Sequence, residues 1–291
     1  MLLIHKNIIM KISFAAFLLF CGISFGQNNT DTSLYMKSDK ITYLTDIGSE
    51  SGDLYQTIGH HGPAVENEWM ALRIYFSEKA AIDVYSKPNL GLELRKANWY
   101  PTPEQQKEGW GADYYKVANT VGLGGVKLWD GEKIVPLNPV TNRLARVGKT
   151  DTTSWMEMIS KGVPYKGEKV DILVRVTVFS GKREAKVEAI CLSKREVQFV
   201  TGVNYFKNFK SDKGTNYIAV WGLHPEDVAA TKVEIGAAIK YNPKDYLKDI
   251  DDGTQYLLVS KPTKHLETTI ISASAIEKDI NTFNKLVSFL K

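Results

Sequence analysis

"DILVRVTVFSGKREAKVEAICL", residues 171–192, holds two runs, 171–179 and 185–192, with apolar residues at alternate positions and Ser180-Gly181 between them. Successive strand side chains point to opposite faces, and Ser-Gly supplies a turn, so the stretch reads as a hairpin with one buried face. The same pattern recurs on either side. "AIDVY" (81–85), "VKLW" (126–129), "VQFVTGV" (197–203), "YIAVWGL" (217–223), "QYLLVS" (255–260) and "ETTIISASA" (267–275) are short and rich in β-branched or aromatic residues. Asp130-Gly131 and Asp252-Gly253 add further turns. Many short strands at this spacing predict an all-β fold, a large antiparallel β-sandwich, rather than βαβ units. Ile276, Ile280, Phe283, Leu286, Val287 and Leu290 recur at helical spacing and predict a C-terminal amphipathic helix closing over one sheet. "TPEQQKEG" (102–109) predicts a short helical turn, with Pro103 near its start and Gly109 at its end.

Lys6 and Lys11 flank a nearly unbroken apolar run, 12–25, that ends Ser24-Phe25-Gly26. A basic start, a short apolar core and small residues before the cut predict a signal peptide over 1–26, hence a periplasmic or secreted protein. The run is too short to span a membrane, which takes about 20 apolar residues. Residues 27–291 then form one β-sandwich catalytic domain, since no linker or low-complexity tract divides them. Cys191 is the remaining cysteine of that stretch, so no internal disulfide is expected and the fold rests on its core. The formal charge of +4 includes the two leader lysines. The balance is too even for a nucleic-acid partner, and none is expected; nor is a membrane partner after leader removal. A small anionic ligand remains compatible.

"GHHGPAVENEWMALRIYF" (59–76) carries the densest chemistry. Read as a strand over 67–76, it places Met70, Leu72, Ile74 and Phe76 on a core face and Asn67, Trp69, Arg73 and Tyr75 on the other. Aromatic rings offer flat apolar faces to sugars, and arginine a forked donor for a carboxylate or sulfate. His60 and His61 fall at the rim of that face. The bland alternative is that these aromatics pack beneath a loop and Arg73 pairs with an acid. A metal site is disfavoured, because adjacent residues on extended chain point opposite ways and the spacing matches no zinc pattern. No cofactor motif is present: "GLGG" (122–125) lacks the dinucleotide fingerprint and reads as a bulge or close packing. A second cluster, "NWYPTPEQQKEGWGADYYKVAN" (98–119), gathers Trp99, Tyr100, Trp110, Tyr114, Tyr115 and Lys116 in a loop, where recognition is often carried. Cys191 reads as a core thiol, and His224 as a residue at a sheet rim.

The blocks "HGPAVENEWMALRIYF", "AIDVYSK", "WYPTPEQ" and "VGLGGVKLWDG", followed by "VTGVNY", "VWGLHPED" and "EIGAAI", resemble a family of exported bacterial proteins from polysaccharide-utilisation loci. That family was long catalogued only as a domain of unknown function and is similar to an oligosaccharide dehydratase of ulvan degradation. The resemblance implies loss of water from a non-reducing-end uronic acid, leaving a 4,5-unsaturated sugar on an anionic, possibly sulfated oligosaccharide. The expected architecture is a galactose-mutarotase-like supersandwich. Such chemistry needs a base near neutral pKa, an acid for the leaving hydroxyl and fixed charge for the carboxylate. The residue chemistry offers His60 or His61 as base, Tyr75 or the other histidine as acid, and Arg73 as carboxylate clamp. Trp69, Trp99, Tyr100, Trp110, Tyr115 and Lys116 are the substrate-binding candidates. Two rivals stand beside it: a non-catalytic glycan-binding module, and a glycoside hydrolase or polysaccharide lyase, with Glu66, Glu68 and Asp113 as candidate acids.

Overall fold

The computed structural model describes residues 29–225, 229 and 231–291, so the expected signal peptide lies outside the described residues. The hairpin that opened the reading forms as expected: Glu168–Phe179 pairs antiparallel with Ala185–Cys191, Val176 opposite Val187. Ile172, Val174, Val176 and Val178 are buried on one face, while Arg175 and Thr177 between them are half-buried on the other. This pair sits inside a nine-stranded antiparallel sheet. Its order from one edge is Lys210–Lys213, Tyr217–Leu223, Glu234–Lys240, His265–Ser274, Ala185–Cys191, Glu168–Phe179, Thr153–Tyr165, Asn142–Lys149 and Asp46–Ser49.

Facing it is a second layer made of two smaller sheets. One runs Tyr246–Asp251, Gln255–Ser260, Phe199–Asn204, Lys127–Trp129 and Ile134–Val135; the other Asp31–Ser33, Ala64–Glu66, Met70–Ile74 and Ile82–Ser86. The "GLGG" segment stitches them together, bridging Ile82 through Gly122 and Val203 through Leu123. A Cβ on Gly122, whose φ is +69°, would lie 2.0 Å from the Ile82 carbonyl, so close backbone approach requires glycine there. The apolar core lies between the layers, with Leu72, Ile74, Ile82 and Val84 from one side and Val174, Val176, Val187 and Ile270 from the other. The fold class is therefore the expected antiparallel β-sandwich with a C-terminal helix.

That helix spans Phe283–Leu290 and covers the outer face of the nine-stranded sheet, with Leu286 and Leu290 against Trp221 and Ala273. It starts later than the apolar periodicity from Ile276 predicts. Arg183 explains the difference, since it pairs with Glu277 at 2.7 Å and Asp279 at 2.8 Å and pins residues 277–279 in turns. Thr282 then caps the helix by accepting the Lys285 N–H. The turn at Pro103–Lys107 has a full capping box from Thr102 and Gln105. Cys191 is buried, as a core thiol should be.

Candidate functional site

The histidines do not lie on extended chain. Residues Gly59–His61 form a 3₁₀ turn in which His60 and His61 have φ of 55° and 59°, in the left-handed region. Gly62 lets this turn press on the strand end beyond it, because a Cβ there would meet the Ile74 carbonyl at 1.8 Å. The His61 carbonyl then accepts the Phe76 N–H at 2.8 Å. The alternation argument fails here, and the turn geometry decides which ring is reachable.

His60 turns inward. Its Nε2 lies 2.7 Å from Ser33 Oγ, its ring packs edge-on to Tyr35, and burial pushes its pKa down to about 3. It is a neutral structural ring, so its expected role as base is not supported by its position. His61 stays half-buried at the surface. Its Nδ1 lies 2.6 Å from the Tyr55 carbonyl, which only accepts, and 3.4 Å from Lys37 Nζ, which only donates; the much shorter carbonyl contact puts the hydrogen on Nδ1 and the lone pair on Nε2. The ring stacks on Tyr55 at 4.0 Å and meets the Tyr100 ring edge-on at 6.1 Å. Burial lowers its pKa; the Tyr55 hydrogen bond opposes this, and the Arg73 and Lys37 charges lower it further.

Beneath the histidines lies a buried ion cluster. Arg73 and Asp83 are cross-strand partners, and Arg73 donates to Asp83 through Nε at 2.9 Å and Nη2 at 2.5 Å. Nη2 also reaches Asp113 at 2.9 Å and the Tyr75 hydroxyl at 3.2 Å, while Nη1 donates to Tyr100 Oη at 2.8 Å and the His60 carbonyl at 3.3 Å. All three nitrogens of the guanidinium are thus engaged by protein acceptors. The group is buried, so Arg73 organises the site; it is not the free clamp expected from the sequence. Burial works against its charge, but Asp83 and Asp113 outweigh it and hold its pKa well above the ordinary value. Burial pushes the Asp83 carboxyl up, with Arg73 and the Tyr75 hydroxyl pulling it back. Tyr75 donates to Asp83 at 2.6 Å; burial, then that charge, drives its pKa far above normal and removes it as an acid.

The aromatic candidates separate in the same way. Trp99 is fully buried, its indole N–H donating to Asp113 at 3.0 Å and its ring lying 4.3 Å from the Arg73 guanidinium carbon. This is the covering loop of the bland reading: residues 98–113 close over the Arg73 face. Trp110 packs against the small cluster of Ala64, Tyr85 and Leu94, and Trp69 lines a different cleft, 5.7 Å from Arg183. Tyr115 is buried and bonded to Asn204, and the backbone of Lys116 bonds His224 and Asn204. These residues do not line the cleft beside the histidines. Tyr100 does, at 41% exposure. Its oxygen accepts from Arg73, which leaves its own proton for a ligand, and burial, opposed by Arg73, sets its pKa at about 12.

That cleft, about 480 Å³, is lined by Tyr35, Lys37, Lys40, His60, Lys96, Asn98 and Tyr100, and His61 adjoins it through Lys37 and the Tyr100 ring. Its three lysines were missed in the sequence, because two come from the Tyr35–Tyr43 hairpin and one from the turn at Leu94–Ala97. No signal short of the fold brings them together. The acid candidates do not form a hydrolytic pair. Glu66 is buried against Lys87 at 3.0 Å and accepts backbone N–H groups from Glu93 and Leu94, while Glu68 accepts the Gly181 N–H. His224 is buried rather than at a rim, accepting the Lys116 N–H at 3.0 Å.

Burial holds His224, like His60, at about pH 3. An unfolded histidine titrates near 6.5, so both favour the folded state above that pH, and the contribution fades as pH falls from about 6.5 toward 3. Urea titrations across that range should show stability falling with acid, and His224→Gln should flatten the fall. An unchanged acid slope in the variant would count against this assignment.

An antiparallel β-sandwich with a lysine-rimmed cleft over a buried arginine–carboxylate cluster is thus the class of protein. The chain belongs to the family described as domain of unknown function (DUF4861), matched over residues 23–291. No curated protein matches it in sequence. It is similar in structure to a 4-α-glucanotransferase from Thermococcus litoralis, with TM-score 0.36 and 12% identity over 73% of this chain and 37% of that one. It is likewise similar to a protein described as an aldose 1-epimerase from Klebsiella pneumoniae, with TM-score 0.40 and 8% identity over 89% of this chain and 94% of that one. A heparan sulfate lyase mutant from Pedobacter heparinus gives TM-score 0.38 and 11% identity over 72% of this chain and 33% of that one. These structural neighbours are carbohydrate-active enzymes, and the chain spans about a third of the length of the glucanotransferase and of the lyase.

Proposed function

We propose that this protein is an exported hydro-lyase that eliminates water from the non-reducing-end uronic acid of an anionic oligosaccharide, of the kind found in ulvan breakdown. The carrying observation is His61: Nδ1 lies 2.6 Å from the Tyr55 carbonyl, so Nε2 is left as a base on a ring that adjoins Tyr100 and Lys37, two residues lining the lysine-rimmed cleft. The uronate carboxylate pairs with Lys37, Lys40 and Lys96, which stabilise the charge that grows on it as the C5 proton leaves. His61 Nε2 takes that proton. The electron pair forms the C4=C5 bond, the C4–O bond breaks, and Tyr100 gives its proton to the departing hydroxyl as water. Arg73, bonded to Tyr100 Oη, stabilises the resulting phenolate until His61 releases its proton to solvent and solvent returns one to Tyr100. The resemblance to a family similar to an oligosaccharide dehydratase, and the leader-like start of the chain, support this reading.

The test is mass spectrometry of a saturated uronate-ended oligosaccharide after incubation with the protein, with ultraviolet absorbance alongside. Loss of one water with new absorbance from an uncut chain is expected. A cleaved chain with the same absorbance means a polysaccharide lyase, and binding without mass change means a glycan-binding module; either outcome rejects the proposal. The pH profile is a second readout. His61 works as the neutral ring and its pKa is lowered, so kcat/KM should rise through a limb below the ordinary histidine value. It should then hold until Lys37 loses its charge, below the ordinary lysine value because burial and then the Arg73 charge lower its pKa, with Tyr100 ionising later, toward pH 12. An acid limb well above the ordinary histidine value would reject His61 as the base.

A further inference from the structure

Trp69 stands apart from the site at His61. It precedes the strand Met70–Ile74 at one end, whereas Gly62, next to His61, packs on the Ile74 carbonyl at the other. Five steps of strand at about 3.3 Å each put roughly 16 Å between the two ends. Trp69 lines its own cleft of about 410 Å³ with Asn89, Leu90, Glu277, Lys278 and Asp279, a volume in the range of small-ligand sites. Two buried cations hold the walls. Lys87 Nζ donates to the Gly91 carbonyl at 2.6 Å, the Asn67 carbonyl at 2.5 Å and Glu66 at 3.0 Å, which fixes the loop 88–91. Arg183 fixes residues 277–279 through Glu277 and Asp279, and its guanidinium carbon lies 5.7 Å from the Trp69 ring. Asn67, fully buried, sets the backbone at Trp69: its Oδ1 accepts the Trp69 and Met70 N–H groups, and its Nδ2 donates to the Lys182 carbonyl.

The groups that line this cleft keep unused capacity. Trp69 is half-buried, so part of its ring stays open, and Leu90 is exposed. Asp279 accepts from Arg183 through both oxygens yet remains exposed, with lone pairs to spare. Burial pushes the Glu277 carboxyl up to about 7 against the pull of Arg183, so near neutral pH it donates as well as accepts. Lys278 is exposed and meets no acid among the described residues. With Asp279 answered by Arg183 and Glu277 partly protonated, Lys278 is the charge left unbalanced.

We propose that this cleft is a second glycan-binding site for a pyranose residue within the anionic chain, its ring on Trp69, its hydroxyls on Asn89 and Asp279 and its acidic substituent toward Lys278. The inference rests on the anionic-glycan part of the proposed function and not on the loss of water. Aromatic rings take the apolar face of a sugar, and amides and carboxylates bond its hydroxyls. A residue held there, a strand length from His61, belongs to the interior of the chain and not to the reacting uronate. Two sites on one chain raise its affinity without a new contact at the reacting end.

The experiment is isothermal titration calorimetry of the protein with two ligands, a uronate-ended disaccharide and the ulvan polysaccharide. Trp69→Ala should weaken ulvan binding about tenfold, a difference of about 1.4 kcal/mol, and leave the disaccharide dissociation constant within about twofold. Lys278→Glu, at an exposed position that leaves the packing intact, should do the same, and added salt should shrink its effect. Unchanged ulvan affinity in Lys278→Glu, an equal loss for both ligands in that variant, or no ulvan binding by the parent protein would each overturn the site. Product mass, read on the same samples, judges the water-loss reading separately. Ulvan binding that depends on Trp69 and Lys278 in a protein that releases no water leaves the site standing, and water loss with ulvan binding indifferent to both removes the site alone.

Discussion

His61→Asn should lower kcat for water loss by about 10²- to 10⁴-fold, the range for losing a positioned general base. Asparagine is chosen because His61 sits at φ 59°, a region that asparagine tolerates better than other non-glycine residues. The change therefore removes the imidazole without forcing the Gly59–His61 turn to rebuild. Tyr55 loses a stacked partner, but His61 is half-exposed, so thermal stability should move little. Mass-spectrometric turnover assays on the folded variant provide the check, and activity above a tenth of the parent would remove His61 from the reaction. His60→Asn is the companion control. It should disturb packing around Ser33 and Tyr35 and reach the chemistry only through the fold.

Arg73→Ala should be the most damaging single change to stability. It leaves Asp83 and Asp113 buried without their cation, and breaking a buried ion pair from one side costs about 3–5 kcal/mol. For a chain of this size that corresponds to a fall of roughly 6–20 °C in Tm. Tyr100 also loses the donor that fixes its hydroxyl, so residual activity should fall even where the protein folds. Denaturant midpoints of the variant and its parent decide the matter. If Arg73 were a substrate clamp instead, the variant would lose affinity for uronate-ended ligands and keep its stability.

The strands were legible where one face is plainly apolar. Tyr217–Leu223 and Gln255–Ser260 coincide with the runs read from sequence, and the turns at Asp130-Gly131, Ser180-Gly181 and Asp252-Gly253 separate the elements they were expected to separate. Asn142–Lys149 and Thr153–Tyr165 went unread, although both are long partners in the large sheet. Their inward positions include Arg143, Ser154 and Ser160, and a buried arginine bonded to backbone carbonyls has no signature in hydrophobic alternation. The outer-face cluster of Arg146, Glu157 and Arg175 likewise depends on cross-strand register.

At the site, the sequence by itself determined that Arg73 and Tyr75 share a strand face, because a two-residue repeat guarantees it, whereas the pairing of Ala64–Glu66 with Met70–Ile74, Ala64 opposite Arg73, brings His60 and His61 beside them. It also determined the all-β class, since period-two patterning and turn chemistry are local properties. The tertiary structure alone decided the surroundings of each side chain. Asp83 faces Arg73 through strand register, Asp113 and Trp99 arrive from the covering loop, and Lys37, Lys40 and Lys96 come from separate elements. The left-handed turn, held by Gly62 against the Ile74 carbonyl, sends His60 inward and leaves His61 at the surface. Burial and neighbouring charge then make one histidine a structural ring and the other a candidate base. Those fields depend on distances between residues far apart in the chain, which no local pattern encodes.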